Sequence, residues 1–320
     1  MSRRKLYGTV LFMYLIINPL TLSSQDPQLN PLGTWFFNPS WFNPAISGSK
    51  DYNSLNFTYA TGDDFNAMVL CGNTRFSKRT KGYYNIPDNY SYRNLGIGYQ
   101  VFHKSTPLVK STGFKVTGSY HIKLNESATS FLSIGLSLRG STSTMTDSSS
   151  IELPDNTTAV TTYDPNIDFG VYYYSPAFYL GISSTDIIEG VLPNDTISYI
   201  HEARQYNFHS GFKLVLYRPM NIVIEPSVSI SISDSTLQDV VNHIHPMVKV
   251  YIDNLCVGSY FYNKDKLSFF FRYNSPRFYL GGFLGISKES PYYINIPSIE
   301  LSAGINLSYK KSRQYKRFHW

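Results

Sequence analysis

The run Thr112–Leu124, TGFKVTGSYHIKL, decides the fold. Phe114, Val116, Gly118, Tyr120, Ile122 and Leu124 fall on one side of a period-2 repeat, while Lys115, Thr117, Ser119, His121 and Lys123 fall on the other. That spacing sends successive side chains to opposite faces of a sheet. Residues 222–233 repeat it, with Ile222, Ile224, Pro226, Val228, Ile230 and Ile232 against Glu225, Ser227, Ser229, Ser231 and Ser233. So does 299–310, and no helical period of comparable length appears.

Outward from this run, the alternation predicts about fourteen strands: 52–60, 65–75, 94–103, 111–124, 128–140, 166–175, 177–184, 206–218, 221–233, 239–252, 255–263, 267–274, 277–287 and 298–310. From the fourth strand on, every second connection is tight (125–127, 175–176, 218–220, 253–254, 274–276), and the ones between are mostly longer, notably 141–165 and 185–205. Outer-membrane barrels have an even strand number, short periplasmic turns and longer outside loops. The phase therefore puts both termini in the periplasm; the connection 76–93 breaks the rule, being long where a short turn is expected. A soluble β-sandwich also alternates. Long strands, and rings gathered at strand ends such as Tyr172–Tyr174, Tyr260–Tyr262 and Tyr292–Tyr293, favour the all-β transmembrane barrel, since membrane girdles are aromatic.

Composition agrees. Charged residues make up 16% of the 320, against about a quarter in soluble domains, and aromatic residues another 16%. Of the formal charge of +6, Arg3, Arg4 and Lys5 contribute three, all within residues 1–24, which read as a secretory signal peptide: a basic start, an apolar run from Thr9 to Leu22, then Ser23 and Ser24 before Gln25. The remaining +3 is too mild for a nucleic-acid binder, and none is expected as a partner. Cys71 and Cys256 fall in separate strands and read as unpaired wall thiols.

Four regions follow: the signal 1–24, a periplasmic N-terminal segment 25–51, a barrel 52–310, and a basic, aromatic periplasmic tail 311–320. Lys310, Lys311, Arg313, Lys316 and Arg317 are the one basic cluster, suited to lipid headgroups, cell-wall anions or an acidic partner. The segment 38–49, NPSWFNPAISGS, carries two Asn-Pro pairs and a closing Gly48-Ser49, which exclude regular helix and central strand. It holds Trp41 and Phe42 ahead of the first strand, as a plug entering the barrel or as a docking ledge at its mouth. Asn38, Pro39, Trp41, Phe42, Asn43, Pro44, Ala45 and Gly48 are the candidate partner-docking residues.

No catalytic, cofactor or metal site is read. There is no G-x-S-x-G elbow and no P-loop, and Gly96-Ile97-Gly98 lies inside a strand with no helix after it. His243 and His245 are two apart, with Asp239 and Asp253 nearby, and read as interior histidines rather than ligands. The run from Asp164 to Ser175 lacks the Gly and Glu of a calcium loop at its sixth and twelfth positions.

Gln25-Asp26-Pro27-Gln28, the N-P-x-x-x-N-P-A-x-x-G-S pattern at 38–49, and the strand pairs IDFGVYYYSPAFYLGI (167–182) and LSFFFRYNSPRFYLGGFLGI (267–286) resemble the PorP/SprF family of the type IX secretion and gliding machinery. Family members often carry an Asn-Gln-Trp-Pro-like segment after the first strand, where this chain has Ala60–Asp64. The resemblance implies an integral outer-membrane barrel that is not an enzyme. Its implied partners are outer-membrane lipid, a periplasmic ring lipoprotein, a peptidoglycan-binding subunit and large adhesin-like clients that it helps export or attach. Two other readings compete: a channel or transporter for small molecules, suggested by the Ser-rich and Lys-bearing face, and an outer-membrane hydrolase built from scattered Ser, His and Asp.

Overall fold

On strand Val109–Lys123 the polar residues are inside and the apolar ones outside. Lys115, Thr117, Ser119 and His121 are buried, while Phe114, Val116, Tyr120 and Ile122 are exposed. This inverts the order of a soluble sandwich, whose core is apolar, and fits a wall between lipid and a polar lumen. From Phe114 to Leu124 the exposed apolar stripe spans roughly 25 Å for a strand tilted about 40°, the height of a barrel's apolar band.

The computed structural model describes residues 34–50, 53–62, 65–76, 94–107, 109–124, 130–146, 159–188, 204–217, 219–233, 240–241, 243–263, 266–290 and 293–307. The signal peptide, Gln25–Gln28, the connection 76–93 beyond Phe76, and the basic tail residues Lys310, Lys311, Arg313, Lys316 and Arg317 lie outside the described residues. Among the described residues the strands are β1 (Asn53–Gly62), β2 (Asn66–Phe76), β3 (Leu95–Ser105), β4 (Val109–Lys123), β5 (Phe131–Thr146), β6 (Ala159–Tyr174), β7 (Phe178–Thr185), β8 (Gln205–Phe212), β9 (Leu214–Tyr217), β10 (Ile222–Ser233), β11 (Ile244–Ile252), β12 (Leu255–Asn263), β13 (Lys266–Asn274), β14 (Phe278–Ser290) and β15 (Tyr293–Leu307).

Each strand is antiparallel to its neighbours, and β1 pairs with β15, from Asn53↔Leu307 to Gly62↔Ser298, so the sheet closes on itself. β8 and β9 are two parts of one stave broken at Lys213, since both pair with β10; the barrel has fourteen staves. Closure removes the exposed sheet edges that an open β protein would have to protect. The first and last described strand residues sit together at the end where the tight turns lie.

Several strand limits differ from the sequence reading, among them β14, which runs on to Ser290 rather than 287, and β15, which begins at Tyr293 rather than 298. β5 continues to Thr146 and β6 begins at Ala159, so much of the expected loop 141–165 is paired strand. Its Ser/Thr alternation shows no apolar face because this hairpin rises past the lipid band, where neither face needs one. β11 begins at Ile244 rather than 239, with Val240 and Val241 in a turn before it.

Candidate functional site

The expected periplasmic segment ahead of the first strand sits in the lumen. Its local form follows from its prolines. Pro39 and Pro44 each occupy the first turn of a 3-10 helix, Pro39–Trp41 and Pro44–Ile46, where a missing N–H costs nothing. Asn43 has extended backbone, and its side-chain oxygen accepts from Ala45 N at 2.9 Å, so it caps the second turn. Gly48 has φ +70°, and a Cβ there would meet the backbone of Gly96 and Thr74, so both the turn and the close approach require glycine.

This compact piece is bonded to staves on several sides of the barrel. Asn38 Nδ2 donates to Thr58 Oγ1 (3.2 Å) on β1, and Cys71 Sγ on β2 donates to Asn38 Oδ1 (2.7 Å). Gln100 on β3 donates to Ser40 Oγ (3.1 Å). Lys115 Nζ on β4 donates to Trp41 O (2.7 Å) and pairs with Asp168 on β6 at 2.5 Å, while Ser137 on β5 donates to the same carboxylate. Ser133 on β5 donates to Ala45 O (2.7 Å), and Ser183 on β7 to Phe42 O (2.7 Å). Asn43 Nδ2 donates to Val171 O (3.1 Å) and Ile182 O (3.4 Å), spanning β6 and β7. At the segment's end, Ser119 Oγ and His121 Nε2 both donate to Ser47 O, and His121 Nδ1 accepts from Tyr174 O–H at 3.1 Å. A neutral imidazole satisfies both of those bonds.

Apolar contacts complete the seat. Phe36 and Phe37 pack with Val223, Met247, Tyr251, Cys256, Tyr260, Phe270, Tyr279 and Phe283, on the side away from β4–β7. Trp41 and Phe42 join Val69 and Phe102, with Trp41 edge-on to Phe102 at 5.0 Å. Glycines on the wall make room: a Cβ on Gly135 would collide with Pro44 and Ala45, and one on Gly98 with the Ser47 side chain. Gly118, on the outward face of β4, has open space instead.

Beside the segment the remaining lumen holds a second polar network. Glu225 Oε1 accepts from Lys249 Nζ (2.6 Å) and Tyr179 O–H (2.9 Å), and its Oε2 accepts from Tyr251 O–H (3.0 Å). A buried carboxylate satisfied on both oxygens by a cation and two phenols is a closed structural cluster. Further from the tight turns, Arg139 pairs with Asp164 (3.0 Å) and with Asp186.

The structure thus brings Asn38, Trp41, Phe42, Asn43, Pro44, Ala45 and Gly48 together as a buried unit, with Pro39 half-buried among them. The partners it finds on the wall, Lys115, Ser133, Ser183 and Gly135, were not among the predicted site residues. Each is unremarkable alone; the common signal is a small or long-reaching donor on the inward register. Cys71 and Cys256 are both buried free thiols, and His245 Nδ1 donates to Tyr262 O (2.9 Å) while its ring stacks on that of Tyr262. Among the described residues no cluster of three metal-ligating side chains occurs.

A closed sheet that is apolar outside and polar inside, with its own N-terminal segment seated in the lumen, defines an outer-membrane β-barrel. The family model for the type IX secretion system membrane protein PorP/SprF matches residues 22–290, and the chain belongs to that family. No curated protein matches the sequence. Among solved structures the chain is similar to the CymD monoaromatic hydrocarbon channel (10% identity, 86% of this chain and 92% of that one, TM-score 0.48). It is also similar to a Pseudomonas aeruginosa FadL homologue (10%, 82% and 92%, TM-score 0.44) and to the Acinetobacter baumannii outer membrane protein Omp33 (11%, 81% and 100%, TM-score 0.43). Likeness of this degree assigns no activity to the chain.

Proposed function

We propose that this barrel supports the export or surface attachment of large adhesin-like proteins through protein contacts, as a closed scaffold of the type IX machinery rather than a pore or an enzyme. The observation that carries it is the plug: residues 36–48 are held by β1 to β7 on one side and by the Phe36–Phe37 cluster on the other. Bonds from seven successive staves hold this segment across the lumen, which favours a scaffold over an open pore. With the tight turns at the periplasmic end, the plug lies in the periplasmic half, near where a ring lipoprotein and a peptidoglycan-binding subunit would approach. Docking by Asn38–Gly48 then acts through the plug's position and its half-buried rim, Pro39, Ile46, Ser49 and Lys50. The tail residues Lys310, Lys311, Arg313, Lys316 and Arg317 are the proposed second contact, through their charge.

The test is purification of the tagged full chain from outer membranes with quantitation of co-purifying machinery, beside a deletion strain probed for surface adhesin. Stoichiometric recovery of a periplasmic lipoprotein together with loss of surface adhesin supports the reading. Recovery of the barrel alone, with adhesin display unchanged, overturns it.

A further inference from the structure

β4, β5 and β6 stand higher than β7. β5 pairs with β6 along the whole of Ala159–Tyr174, but β7 pairs with β6 only over Phe169–Tyr174. Beyond Phe169 the β7 side of β6 is met by Asp186 N on Asp168 Oδ1, Ile187 N on Ile167 O, and Ile188 N on Asn166 Oδ1. Among the described residues nothing pairs with that side from Ala159 to Pro165.

The direction of the backbone groups on this stretch can be worked out. Ile167 O accepts from Ile187 on the β7 side. Groups two residues apart point the same way, so the N–H and C=O of Tyr163 and Thr161 face that same side, where no described residue pairs with them. Pro165 falls in this phase as well, and its missing N–H lies where proline is tolerated in a sheet, on an edge. Tyr163 is 71% exposed. Four residues past Ile167, opposite the last exposed apolar residue Leu138 of β5, it stands roughly 10 Å beyond the lipid band on the long-loop side.

We propose that Ala159–Asp164 is a docking edge that takes an extended segment of an exported polypeptide as an added antiparallel strand. Main-chain groups of Thr161 and Tyr163 supply the ladder, and the Tyr163 ring supplies a side-chain anchor; strand addition to a sheet edge is a general peptide-recognition mode. The segment is polar or β-branched, because Thr161, Thr162 and Asp164 offer no apolar pocket to pair with. A second copy of this chain does not fit. Two barrels in one membrane carry β6 in the same direction, which forbids an antiparallel pair between them. The edge is that of the described residues; naming an exported chain as its occupant rests on the export reading.

The experiment places p-benzoylphenylalanine at Tyr163 in the full chain in cells, with irradiation and mapping of the cross-linked peptide by mass spectrometry. The expected result is a discrete adduct to an extended segment of a secreted protein. Its yield falls at least fivefold when Thr161→Pro removes the edge N–H, and holds with Thr161→Ser. Heat-modifiable migration of each variant shows that the barrel has assembled. An adduct within the same chain, an adduct to a second copy, insensitivity to Thr161→Pro, or a yield no higher than at the lipid-facing position Leu136 overturns the proposal. The export reading fails separately: if deleting the whole chain leaves secreted proteins on the surface, that reading is wrong whatever the edge binds.

Discussion

Asn43→Ala isolates the plug's grip on the wall. The side chain makes three hydrogen bonds: two donated, to Val171 O and Ile182 O, and one accepted from Ala45 N. Each is worth about 1 kcal/mol net, and a buried N–H left without an acceptor costs about 1–3 kcal/mol. Ala45 is fully buried, so its amide finds no water when Asn43 is shortened. The sum is roughly 3–5 kcal/mol against the seated plug, or about two to three and a half decades in the equilibrium between seated and released forms. The fourteen-stave ladder is untouched, so the barrel still assembles. The assay is the labelling rate of Ser40→Cys by a membrane-impermeant maleimide in outer-membrane vesicles, in a Cys71→Ser, Cys256→Ser background, because both native thiols lie against the segment and would be uncovered by its release. Labelling that follows local opening scales with the released population. The rate with Asn43→Ala should rise at least a hundredfold while heat-modifiable migration persists. An unchanged rate would refute the argument that Asn43 holds the segment in the lumen.

Lys115→Met leaves Asp168 a buried carboxylate without its cation, a change that costs about 3–5 kcal/mol, and Lys115→Met with Asp168→Leu should restore much of the loss; denaturation midpoints of the refolded barrel measure both. Gly135→Val puts a branched side chain into the space of Pro44 and Ala45, so the barrel should form with its plug displaced, read as new chymotrypsin cleavage at Phe36, Phe37, Trp41 or Phe42; continued protection would count against the close approach. Leu136→Arg places a charge on the lipid face and should reduce barrel stability in bilayers by about 2–4 kcal/mol if that residue lies at mid-band, seen in a refolding titration.

The staves were legible because a lipid-facing wall must alternate along its length: Phe114, Val116, Tyr120 and Ile122 are exposed and Lys115, Thr117, Ser119 and His121 buried, as their spacing predicts. Legibility ends where that demand ends. Above the band, Ser141–Thr144 and Thr161–Asp164 are polar on both faces, so a paired hairpin reads as loop. The break at Lys213 is equally silent, since a one-residue interruption of the strand leaves the hydrophobic pattern of β8 and β9 almost intact. The connector's turns were legible from Asn38-Pro39, Asn43-Pro44 and Gly48, because proline and glycine act locally. Its place was not. Seating it depends on Thr58, Gln100, Lys115, Ser133 and Ser183, positions scattered over more than a hundred residues, which converge only when the sheet closes.

The central claim is that the chain closes its own lumen, and planar-bilayer conductance of the purified full chain tests it most directly, with the same chain lacking residues 36–49 as the check on insertion. The account predicts no steady conductance from the full chain and an open pore from the shortened one. A stable ohmic pore in the full chain would contradict it.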